Sequence, residues 1–249
     1  RCAMTDRNKI LADVLRHMEY FEGSGVNAFD LHQEDMPFTI NEGLIDVEAL
    51  NSPQVRPQKL DFKAKKLYEL QQLTKNCQKC SLFYSRRNVV FGRGDAKGCL
   101  MFIGGYPSEI DDFSEMLYNG KEGDLLNRIM KAMEVRLSEV FITTAVKCHP
   151  PGKTEPREEE IGACLPYLQK QIDIIQPAII VTLGEIAYKA LTQNKPKIYS
   201  QREHWESYQG IPLLSTFDLE QIQTNPSIKK DVWRDLKSVL KKYHELGLG

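Results

Sequence analysis

Hydrophobic and polar positions follow two rhythms along this chain, and the rhythm switches repeatedly. Over residues 7–21 (RNKILADVLRHMEYF), Ile10, Leu11, Val14, Leu15 and Met18 share one helical face. From 22 to 60 no period is sustained, and GSG, MPFT and NSPQVRPQ punctuate a polar stretch that reads as a linker or extended arm. A second amphipathic helix is expected over 61–75 (DFKAKKLYELQQLTK), directly before CQKC. Beyond it, short apolar runs predict strands at 99–104, 140–147, 178–184 and 211–216. Helical periods separate them at 123–134, 157–175, 185–192 and 227–244. Runs that are apolar throughout, alternating with helices, belong to strands buried on both faces. The expected class is α/β: a three-layer αβα domain with a central four-stranded, mostly parallel sheet, plus a helical N-terminal extension. The expected division is 1–60 for the N-terminal helix and arm and 61–249 for the α/β domain. No internal repeat is visible.

Charge adds little: 33 Lys and Arg stand against 34 Asp and Glu, so any basic footprint must be local. No stretch approaches the roughly 18 apolar residues of a membrane span. The opening RCAMTDRNK lacks the apolar core of a signal peptide. A cytoplasmic, monomeric protein is expected, in which six cysteines serve better as free thiols or metal ligands than as disulfides.

Four of the cysteines are spaced for metal. Cys77 and Cys80 form CQKC, Cys148 follows an apolar run in VKCHPP, and Cys164 lies in the next helix. Converging thiolates suit zinc or an iron–sulfur cluster. A lone Cys148–Cys164 pair replaces the second CxxC of the usual zinc template, which tilts the reading toward a [4Fe-4S] cluster. Cys99 and Cys2 read as small apolar residues.

The segments CSLFYSRRNVVFGRGD, LMFIG, FITTAVKCHPPGKTEPREEEIGACLPYLQKQI, IIVTLGEIAYKAL and NPSIKKDVWRDLKSVL resemble the iron–sulfur (family 4) uracil-DNA glycosylases. The resemblance runs in order over about 65–243. It implies a [4Fe-4S] cluster on Cys77, Cys80, Cys148 and Cys164, and a flipped-base pocket at the strand ends. It also implies DNA, single- or double-stranded and carrying a damaged base, as partner. The N-terminal extension lies outside the resemblance and is expected to offer a surface for a protein partner.

Such enzymes extract a base, hold its polar edge and stabilise an electron-poor sugar while water attacks. The resemblance places the pocket at Gly104, Gly105, Tyr106, Pro107, Tyr118, Thr144 and Asp218. Gly105 stands where the family has a water-positioning Glu, and Tyr118 where it has a base-stacking Phe. Thr144 replaces the Asn that reads uracil, and one hydroxyl cannot reproduce an amide's paired bonds. Asp218 replaces the His that supports the developing oxyanion, which a carboxylate repels. Standard uracil excision is therefore expected to be lost or altered, with an active divergent glycosylase as the alternative. Candidates for a rebuilt catalytic group are Asp218, Glu109, Asp111, Asp112 and Glu122. The cations chosen for DNA contact are Arg86, Lys147, Lys153 and Arg202, with Arg87, Arg93 and Arg157 in similar loops. His149 is expected beside the cluster or the DNA backbone.

Overall fold

The computed structural model describes residues 61–152, 154–192 and 204–248. The helix expected over 7–21, the arm of 22–60, and the candidate DNA contacts Lys153 and Arg202 lie outside the described residues.

In chain order the elements are α1 (Phe62–Lys75), β1 (Arg93–Gly94), β2 (Leu100–Gly104), α2 (Glu109–Ser114), α3 (Lys121–Ala132) and β3 (Val140–Thr144). They continue with α4 (Glu158–Ile175), β4 (Ile179–Leu183), α5 (Glu185–Thr192), β5 (Glu206–Tyr208), β6 (Ile211–Thr216), α6 (Leu219–Thr224) and α7 (Lys229–Glu245). The sheet runs β1-β3-β2-β4-β6-β5. Its four central strands are parallel, as the apolar runs require. Two short antiparallel strands, β1 and β5, close the edges and enlarge the expected four-stranded sheet to six. The strand expected over 140–147 stops at Thr144, because 145–148 must turn to deliver Cys148.

Both faces of the sheet are covered. Leu100 and Phe102 enter one apolar cluster with Leu126, Val232, Leu236 and Val239, under α3 and α7. Met101 and Ile103 enter the opposite cluster with Leu70, Leu168, Ile172 and Leu191, under α1, α4 and α5. Alternation along one strand thus feeds two cores, and each fully buried large side chain contributes about 1.5–3 kcal/mol.

Register fixes the site. Gly104 pairs with Thr144, and Leu183 with Thr216, so the carboxyl ends of the parallel strands finish level. Successive crossovers leave β2 toward β3 on one side and toward β4 on the other, a topological switch point. A crevice outside the end of β2 is where such sheets bind ligands.

Candidate functional site

At that switch point β2 runs out into Gly104-Gly105-Tyr106-Pro107-Ser108. A side chain at Gly104 would place its Cβ 1.9 Å from the Tyr118 hydroxyl, so the phenol rests directly on this backbone. Tyr118 itself adopts φ 54° and is only 8% exposed. Its ring is packed as a floor rather than standing open as a stacking face. A Cβ at Gly105 would stand 3.3 Å from Cβ of Ile186, so this position is tight even for a small side chain. Thr144, beside Gly104 in the register, is 0% exposed, and its Oγ1 has no hydrogen-bond partner. A buried hydroxyl without a partner costs free energy, which an incoming polar group would recover.

The acidic candidates separate by what their oxygens already do. Asp111 Oδ2 accepts from Ser108 N at 3.0 Å, while Asp111 N donates to Ser108 Oγ, forming a capping box on α2. Asp111 Oδ1 accepts from Asn119 N at 2.7 Å. Asp112 accepts from the backbone of Arg87 and Asn88 at 3.0 Å each. Both carboxylates are buried and consumed by backbone donors, so neither can serve as the catalytic group expected of them. Glu109 is exposed at the start of α2, pointing to no described partner. Asp218 is the N-cap of α6, its Oδ1 accepting from Gln221 N at 2.7 Å. Its other oxygen faces Gly184, within 3.4 Å of where a Cβ would stand. Burial pushes the Asp218 carboxyl up, against the lowering effect of the Gln221 amide, and Glu220 adds to the rise.

Glu122 is the least committed of the set. Burial first, then the charges of Asp111, Glu220 and Asp218, raise its carboxyl to about 7. The Tyr106 phenol is raised by burial and by Glu155, Glu220, Asp218 and Glu122. The Tyr118 phenol is raised by burial and then by Glu122. The half-buried Arg93 guanidinium is the nearby counterweight, its charge felt by Asp111 and Tyr118. It is partly exposed at the start of β1. The strand-end site is therefore anionic, with one carboxyl able to change protonation near neutrality. Such a group accepts a proton or a hydrogen bond above its pKa and donates one below it.

The four candidate ligands line a single cavity together with Thr74, Arg86, Lys147 and Tyr167. Cys77 and Cys80 come from the end of α1, Cys148 from the turn after β3, and Cys164 from α4. Among the described residues no three His, Cys, Asp or Glu side chains close on a single metal ion. In a [4Fe-4S] cluster each cysteine binds a different iron, so thiols ringing a cavity fit that group without converging on one point. Sulfur-directed donors accompany them: Arg86 Nη1 donates to Cys148 Sγ at 3.2 Å, and Lys147 N donates to Cys164 Sγ at 3.3 Å. Burial pushes the Cys148 thiol up to about 12 and also raises Cys164, and a metal bound there would instead favour the thiolate form.

Two expected DNA contacts belong here instead. Lys147 is 1% exposed, and its Nζ donates to Thr143 Oγ1, Thr144 O and Gln171 Oε1. Its ammonium ties β3 to α4 and cannot reach a phosphate. Arg86 spends its guanidinium on Cys148 and on the Cys77 carbonyl at 2.6 Å. Arg157 pairs with Glu160 and Ser81. His149 Nδ1 donates to Pro107 O at 2.9 Å, joining the cysteine turn to the strand-end loop. Gln171, which gathers Thr143, Lys147 and Phe91 O, escaped sequence reasoning because nothing marks a helical glutamine as buried.

Comparison with known proteins adds a family to this geometry. The model of the uracil DNA glycosylase superfamily matches residues 91–237. A type-4 uracil-DNA glycosylase of Pyrobaculum aerophilum is 42% identical over 127 residues, covering 51% of this chain and 65% of that protein, just under two thirds of its length. One of Sulfurisphaera tokodaii is 36% identical over 173 residues, covering 66% of this chain and 79% of its own. One of Saccharolobus solfataricus is 36% identical over 174 residues, covering 66% and 81%.

Proposed function

Because the chain belongs to the uracil DNA glycosylase superfamily, with type-4 enzymes among its relatives, we propose that it is a DNA-repair protein whose strand-end site receives a flipped base without the standard uracil chemistry. The observation that carries this reading is the joint state of three positions. Gly105 offers no side chain and is hemmed by Ile186, Thr144 offers one buried hydroxyl, and Asp218 is occupied as a helix cap. None of them can position water, pair uracil's edge or support an oxyanion as Glu, Asn and His would. What remains is a floor of Tyr118 on Gly104, an unpaired Thr144 hydroxyl, and carboxyl groups suited to the amino edge of a base.

A second reading follows from Glu122. A carboxyl raised to about 7 in a half-buried site can activate water, which would make this an active glycosylase with a relocated base. A [4Fe-4S] cluster on Cys77, Cys80, Cys148 and Cys164 would pin the two loops that frame the site. Its iron would supply structure there while this chain's own side chains contact the DNA.

Oligonucleotides carrying uracil, hypoxanthine, xanthine or ethenocytosine, single-stranded and duplex, separate the readings. Binding without alkali-labile cleavage supports a base-receiving protein that has lost excision. Cleavage that disappears in Glu122→Gln establishes the second reading. Efficient uracil excision unaffected by Glu122→Gln would overturn both.

A further inference from the structure

Away from the strand-end site, the 81–88 loop and α2 build a surface that the fold does not require. Tyr84 is 88% exposed and Phe113 71%. Phe83 meets Tyr84 edge-on at 5.3 Å, the Arg86 guanidinium lies 5.3 Å from the Phe83 ring, and Arg87 lies 5.4 Å from the Phe113 ring. The two segments are locked together. Asp112 of α2 accepts the backbone amides of Arg87 and Asn88, and Asn88 Nδ2 returns a bond to Asp112 O at 2.8 Å. The rings are thus displayed on a fixed frame rather than on a loose loop.

A groove of about 460 Å³ opens at Phe83 and Arg87, the neighbours of Tyr84 and Phe113. Lys75 and Arg87 line it as its cations, with Arg86 already committed to Cys148 and the Cys77 carbonyl, beside the amides of Asn76, Gln78 and Asn88, and Glu115 is the lone carboxylate of the lining. Large exposed rings usually mark a surface made for contact. A protein-docking core would be apolar and depleted of charge, whereas here Phe83 neighbours Arg86 and Phe113 neighbours Arg87. Flat rings, the Arg87 guanidinium, the Lys75 ammonium and amides along a groove are the chemistry of unpaired nucleotides, whose bases stack and whose phosphates pair. Duplex DNA hides its base faces and has no use for the rings. The surface also adjoins the proposed site: Ser108 ends the strand-end loop and caps α2.

We propose that the 81–88 loop and α2 form a stacking platform for single-stranded DNA flanking the nucleotide held at the strand ends. The identity of the occupant rests on the DNA-binding reading given above. The test uses the full-length protein and fluorescein-labelled oligothymidylate of about 16 nucleotides, read by anisotropy. Tyr84→Ala and Phe113→Ala should each weaken binding roughly 5- to 150-fold, the value of one stacked base. Tyr84→Phe, which keeps the ring, should bind as the wild type does. Affinity for a duplex of the same length should not change. Single-strand binding within twofold of wild type in both alanine variants would overturn the platform, while the DNA-binding reading would stand on the wild-type affinity. An equal loss on duplex DNA would overturn the claim for single strands. Wild-type protein that binds no oligonucleotide would overturn both.

Discussion

Gly104→Ala probes the floor of the strand-end site directly. The new Cβ would lie 1.9 Å from the Tyr118 hydroxyl and 3.1 Å from its Cζ. Relaxed contact needs roughly 3.5 Å, so the oxygen must retreat by about 1.6 Å. It has little room to do so. Tyr118 is held at φ 54°, its ring is buried in the apolar cluster, and its carbonyl abuts Gly123, where a Cβ would stand 1.9 Å away. Overpacking of this kind costs about 1–3 kcal/mol. For a domain of this size that corresponds to a fall of roughly 2–12 °C in Tm. Tyr118→Phe removes the offending oxygen and leaves only the tight 3.1 Å contact, so most of the loss should vanish in the double variant. A thermodynamic cycle from thermal and urea unfolding, followed by circular dichroism, should give a coupling of about 1 kcal/mol or more. Equal losses from Gly104→Ala in the Tyr and Phe backgrounds would refute the placement of the phenol.

Four further outcomes can be measured. Glu122 ionises in the folded protein near 7, above its ordinary value of 4.5, so any excision that uses it as a base should rise with pH and level off above about 7. Glu122→Gln should lower that rate by about 10²-fold or more and flatten the profile; an unchanged profile would remove Glu122 from the chemistry. The same raised value means the folded state holds the proton longer than the unfolded chain, so stability should decline between about pH 4.5 and 7, and less so in Glu122→Gln. Asp112→Ala leaves the Arg87 and Asn88 amides without their acceptor and should cost about 1–3 kcal/mol, measured by urea unfolding. Anaerobically purified protein should contain iron and inorganic sulfide that are lost together in Cys164→Ser; stoichiometric zinc without sulfide would refute the cluster.

The parallel core was legible because apolar runs such as LMFIG and IIVTL are short, flanked by glycine or polar turns and interleaved with helical periods, which favours strands buried on both faces. The edge strands were not, since Arg93–Gly94 and Glu206–Tyr208 are too short and too polar to carry a period. Neither were α2 and α6, each six residues long. Their caps were nonetheless written in the chain: Ser108 followed by Asp111 is a capping-box pattern, and Asp218 opens the second helix. Reading those two signals would have reassigned Asp111 and Asp218 from free carboxylates to caps. Lys147 illustrates the opposite limit. Its neighbours in sequence suggest a loop cation, and only the tertiary meeting of Thr143 with Gln171 shows why an ammonium is buried there. The meeting of Cys77, Cys80, Cys148 and Cys164 around one cavity was foreshadowed by their spacing, since a CQKC pair and two later cysteines at strand and helix ends can converge whatever path the chain takes between them.

The bond from Arg86 to Cys148 spans 62 residues of sequence, and the strands β2 and β3 are made within that interval. Bringing Cys77 and Cys80 beside Cys148 and Cys164 therefore depends on the pairing of those strands and on the packing of α4, so the nearness of the four thiols reports the state of the sheet as a whole.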